Sequence, residues 1–121
     1  MNGPEINKRA FRFECRMVEL HGALRKSGGA AWEIAPQLLA AGTSIGANLE
    51  EATGGQSKQD FIAKVCTALK EAREARFWLR LISVSGLLPA NAVEPHVQEA
   101  NEIVAILITI VRRAKESPDN G

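Results

Sequence analysis

The chain has no tyrosine, and aromatic residues make up only 5% of its 121 positions. Sheets depend on β-branched and aromatic cross-strand pairs, so this scarcity, beside abundant Ala, Leu and Glu, favours helix packed on helix. Cysteine is limited to Cys15 and Cys66 with no Cys-x-x-Cys spacing, so both read as reduced packing residues of a cytosolic protein. A net charge of +1 gives no global field that would draw in nucleic acid or an anionic membrane. Long apolar runs are also missing. The longest, Ile103 to Val111 with Thr109 interrupting, is too short to span a bilayer. The N-terminal segment interleaves Arg and Glu with Phe11 and Phe13 and does not read as a secretory leader. Together these absences predict a soluble, cytoplasmic protein with no membrane partner.

One absence is local. Between Lys26 and Lys58 there is no Lys or Arg, and apolar or very small residues fill most of Ala30 to Glu51. A surface helix keeps a charged face, so this stretch predicts a helix buried on most of its circumference by surrounding helices. Within it Ile34, Leu38, Ala41, Ile45, Leu49 and Ala52 hold a helical spacing, Gly42 and Gly46 predict close helix contact, and Gly54-Gly55 ends it. Pro36 belongs in a first turn, which leaves residues 30–35 as an extended or loosely helical lead-in.

The remaining helices are read in the same way, and the chain as one domain over 1–121. A first helix over about 4–27 carries Phe13, Met17, Leu20 and Leu24, widened by Phe11, Cys15 and Val18, with Arg9, Arg12 and Arg16 as a basic stripe opposite; Ser27-Gly28-Gly29 ends it. After the second, over about 31–53, a third spans about 58–85, opened by the near capping box Ser57 and Asp60. Its Phe61, Val65, Ala68, Ala72, Ala75, Leu79 and Ile82 alternate spacings of four and three, a heptad seam. A fourth, over about 91–115, bears Val93, Val97, Ala100, Val104, Leu107 and Val111, with Ile103, Ile106 and Ile110 as a second apolar column. A doubled face implies burial against something outside the bundle, so these three isoleucines are the candidate oligomer interface. The fold class is all-α: an up-down-up-down antiparallel four-helix bundle.

Ser44, Asn48 and Glu51 fall in one column of the second helix and, with Lys70 and Glu74 of the third, form a candidate polar network between helices. Arg73, Arg76 and Arg80, with Trp78, are the candidate nucleic-acid contact. The only histidines, His21 and His96, lack a Glu three residues earlier, which argues against a di-iron site. No phosphate loop or nucleophile elbow is present, so no catalytic residue, metal, cofactor or small-molecule substrate is assigned.

The runs QLLAAGTSIGANLEEA, SKQDFIAK, KEAREARFWLRLI followed by GLL, and EANEIVAI resemble the four-helix-bundle family of proteins encoded by 23S rRNA intervening sequences, over about residues 34–112. The resemblance rests most on Ser44, Ile45, Asn48 and Glu51 taken with Ser57, Lys58 and Phe61. It implies a homo-oligomer, a ring-like pentamer of bundles, without established enzymatic activity. It also implies a relationship in fold to the accessory proteins of diversity-generating retroelements, basic partners of a reverse transcriptase and nucleic acid. Ala40 and Glu50 stand where relatives often carry basic residues, whereas Arg76 and Arg80 add charge around Trp78. Segments 1–29 and 57–86 are each +3, while 30–56 is −3 and 87–121 is −2, an alternation that suits contacts between subunits. Two functions follow: a non-catalytic, self-assembling scaffold for an unknown partner, or a nucleic-acid-binding accessory factor for a reverse transcriptase or ribosomal RNA.

Overall fold

A computed structural model describes residues 3–54 and 57–118. They form four helices: α1 (Gly3–Ser27), α2 (Gly29–Thr53), α3 (Lys58–Ser85) and α4 (Ala90–Glu116). Gly28 and Gly29 turn the chain with φ of 71° and 56°, left-handed values that a side chain would oppose. Arg25 stacks on Trp32 across this turn, its guanidinium carbon 3.4 Å from the ring centroid. At the far end of the pair Asn7 donates to Thr53 at 3.0 Å, so α1 and α2 run antiparallel. Ser57 caps α3 by accepting from the Asp60 amide at 3.0 Å. Gly86 ends it in the left-handed region, with Leu87 N–H donating to Ile82 and Gly86 N–H to Ser83. Of the Gly54-Gly55 pair expected to end α2, Gly54 is its C-cap and Gly55 lies outside the described residues.

The core draws on all four helices: Phe13, Met17 and Leu24 of α1, Leu38 and Ile45 of α2, Leu79 and Ile82 of α3, Val93 and Leu107 of α4. The α3 seam from Val65 to Ile82 is buried throughout, with Phe61 partly buried at its start. α2 packs against α1 and α3, and α3 against α4, while α1 and α4 form the slightest pairing. Close approach of α2 to α1 requires Gly42 and Gly46. A Cβ on Gly42 would lie 2.7 Å from Cγ of the fully buried Met17, and one on Gly46 would strike the Glu14 carboxylate, 2.7 Å from its Cδ.

Several expectations need correction. α2 is helical from Gly29, so there is no extended lead-in, and Pro36 lies well inside it. Proline's fixed φ suits a helix; the ring removes one hydrogen bond and stays exposed, while Ala31 and Ala35 on the opposite face are buried in the core. α2 is not enclosed: Trp32, Gln37, Ala40, Ala47, Glu50 and Glu51 are exposed, because its two neighbours cover one side only. On α1, Phe11 and Val18 do not widen the core but are 67% and 56% exposed. Cys66 is exposed rather than packed, and Cys15 is half-buried.

The two helical glycines of contrasting surroundings predict opposite effects of filling them. Gly42→Val should lower stability by about 2 kcal/mol through overpacking against Met17. Gly22, with nothing near its Cβ position, should gain up to about 1 kcal/mol as Gly22→Ala. Urea midpoints at one fixed protein concentration measure both.

Candidate functional site

The polar column of α2 does not form the expected network. Ser44 donates to the Ala40 carbonyl at 2.7 Å and Asn48 to the Ser44 carbonyl at 2.8 Å, both within their own helix. Side chains of this size reach the carbonyl four residues back, and no neighbouring helix offers them a partner among the described residues. Glu51 does cross to α3, but it pairs with Lys64 at 2.8 Å rather than with Lys70. The pair raises the Lys64 pKa through its hydrogen bond and charge, yet both groups are largely solvated, so it adds little stability. No ion pair joins Lys70 and Glu74 among the described residues.

The strongest polar tie lies elsewhere. Arg9, with its side chain 18% exposed, donates to both oxygens of Glu99 at 2.6 and 2.8 Å and pairs with Glu102 at 3.0 Å. It thus belongs to no solvated stripe; it bridges α1 and α4 where their packing is slightest, and its pKa is raised further by the Glu99 hydrogen bond. Ser83, buried on α3, donates to Glu94 of α4 at 2.8 Å. Ninety residues separate Arg9 from Glu99, so no local pattern could have paired them. Arg12, Arg16 and His96 flank this bridge in a cleft between α1 and α4, where burial and the Arg16 charge hold the His96 pKa below its ordinary value.

The basic row on α3 is present but differs in its aromatic member. Arg73, Arg76, Phe77, Arg80, Leu81 and Val84 line one shallow furrow. Phe77 is 56% exposed and Val84 87%. Trp78, one position and about 100° further round, packs against the core and meets Phe77 edge-on, centroids 5.0 Å apart. The aromatic ring beside the arginines is therefore Phe77, at i+4 from Arg73, rather than Trp78. Arg76 donates to Asn101 of α4 at 3.3 Å; Arg73 and Arg80 have no ion pair among the described residues.

The isoleucine column is likewise divided. Ile103 is fully buried within the chain and offers nothing to an interface, whereas Ile106 and Ile110 are half-buried against the core. Its inward direction follows from the bundle core closing around Val97, Ala100 and Leu107, which take Ile103 into the same face. Among the described residues no group of three or more His, Cys, Asp or Glu is placed to hold a metal, and no helix is long and apolar enough to cross a membrane.

What fold and surface define is a four-helix-bundle protein with exposed apolar and basic residues on its outer faces. Residues 4–109 match the 23S rRNA-intervening sequence proteins, and the chain belongs to that family. A crystal structure at 1.70 Å of a protein of unknown function from the S23 ribosomal protein family of Bacteroides thetaiotaomicron is similar throughout, with TM-score 0.84 and 33% identity over 93% of this chain and 99% of that one. No curated protein matches the chain.

Two groups give measurable consequences. Arg9→Ala should cost about 1–2 kcal/mol, because it strands partly buried carboxylates, while Arg16→Ala on the exposed Glu19 pair should change stability by less than about 0.5 kcal/mol. Glu14 has Oε1 buried without a well-formed hydrogen bond. Burial raises its pKa, the Gly46 backbone opposes this, and Glu50 adds to the rise. A carboxyl with a raised folded pKa favours folding when protonated, and that contribution fades as pH climbs through the folded value. Glu14→Gln should therefore stabilise the protein at pH 7 and give no gain below the ordinary carboxylate range, as thermal melts at the two pH values would show.

Proposed function

We propose that the chain is a non-catalytic, self-assembling four-helix-bundle protein whose oligomer is a cytoplasmic scaffold for a protein partner. The observation that carries this reading is the outer side of α1 and α2. Phe11 and Val18, one face of α1 by their spacing of seven, stand exposed beside Cys15, and the exposed face of α2 carries Ala40 and Ala47 without a single Lys or Arg. Burying a Phe or Val side chain is worth roughly 1.5–3 kcal/mol, so a second copy covering this side gains several kcal/mol. On α4, Ile106 and Ile110 are half-buried and present further apolar surface of their own. A closed ring of five subunits is the form suggested by the family resemblance, and the alternating charge of the segments supports contacts between unlike faces.

A nucleic-acid-binding accessory role is the second reading, favoured by the row of Arg73, Arg76 and Arg80. It ranks below the scaffold because Trp78, its best stacking platform, lies off that row.

Native mass spectrometry of protein purified without nuclease tests both. The scaffold reading expects one defined oligomer free of nucleic acid, and Val18→Glu should release monomers while leaving the helical circular dichroism intact. A monomeric parent protein would overturn it.

A further inference from the structure

We propose that the outer face of α3 is a docking site for an acidic amphipathic helix of a partner protein. This names the cargo of the proposed scaffold and rests on that reading for its purpose, although the site is complete within one subunit.

The face has two parallel components. Phe77, Leu81 and Val84 fall at i, i+4 and i+7, an apolar seam of two turns, and all three are exposed. Arg73, Arg76 and Arg80 run along one flank at i, i+3 and i+7. These six residues, all from α3, bound a furrow of about 450 Å³. From Arg73 to Val84 the furrow extends about 16 Å, the length of three helical turns. An amphipathic helix supplies what this surface lacks: two or three apolar side chains at matching spacing and a row of carboxylates beside them. Arg76 is held by Asn101, which aims one guanidinium in advance and reduces the ordering cost of binding. Across the seam Lys70 offsets Glu74, so the face as a whole remains basic.

The same details disfavour single-stranded nucleic acid. Bases need flat π-faces in series, but the furrow offers one aromatic ring and then Leu81 and Val84, which are aliphatic. Phe77 has its ring already engaged edge-on with Trp78. The seam at helical spacing and the arginines beside it fit a partner that is both apolar and acidic.

The test uses the full chain and a fluorescein-labelled synthetic helix of about 18 residues with leucines on one face and glutamates flanking them. A scrambled peptide of the same composition and a labelled oligothymidylate serve as competitors for comparison. Anisotropy should show binding of the facial peptide, at least tenfold weaker for the scrambled one, and weaker still as salt rises. Arg73→Glu with Arg80→Glu, and separately Phe77→Ala, should each weaken binding about tenfold or more. Both change exposed side chains, and circular dichroism confirms that the bundle stays folded. Val18→Glu should leave the affinity per chain unchanged even where it removes assembly, so failure of the scaffold reading and failure of this site are separable. Equal binding of facial and scrambled peptides would overturn the proposal. So would tighter binding of oligothymidylate than of the peptide, or loss of the oligomer in the arginine variants, which would make this face a contact between subunits.

Discussion

The structure depends on how closely α2 can approach its two neighbours. Gly42 and Gly46 let Met17 and Glu14 of α1 sit against the α2 backbone, and Ala68, Ala72 and Ala75 keep the middle of the α3 seam thin. Small residues trade side-chain area for backbone proximity, and the larger residues of the same faces, Leu38, Ile45 and Leu79, are fully buried. α1 and α4 gain least from this arrangement, being placed on either side of the α2–α3 pair. A charged bridge from Arg9 to Glu99 and Glu102 joins them where apolar packing is thin.

The sequence was most legible where one side chain periodicity meets one neighbour. The α3 seam is correct residue by residue because every member faces the same core, and the Ser57 cap and Gly86 stop involve only adjacent residues. α2 differs from expectation for a physical reason: a lack of Lys and Arg reports only that a face avoids positive charge, and exposed Glu33, Glu50 and Glu51 solvate it instead. Phe11 and Val18 present the same ambiguity, since apolar residues beside a core stripe widen the core or stand outside it according to the neighbour's position. The polar column failed because the backbone carbonyl one turn back outcompetes any distant partner for Ser44 and Asn48. Arg9 shows the opposite limit, a pairing that only the tertiary arrangement creates.

Function follows from what the core leaves outside. The outer face of α1 exposes Phe11 and Val18 and that of α2 carries no Lys or Arg, while the α3 side combines arginines with an exposed apolar seam. In the proposed reading the outer side of α1 and α2 takes part in assembly, and the α3 side receives a partner. The chain belongs to the 23S rRNA-intervening sequence protein family over residues 4–109, so nearly all of the bundle that carries these surfaces lies within the family match.

The two cysteines test that division directly, because they lie on the two faces at issue: Cys15 between Phe11 and Val18 on α1, and Cys66 exposed on α3. The measurement is the rate of maleimide labelling at each thiol as protein concentration is raised over the range that would populate the proposed oligomer. The account predicts that Cys15 becomes progressively protected while Cys66 reacts at an unchanged rate. Protection of Cys66, or a Cys15 rate indifferent to concentration, would contradict it.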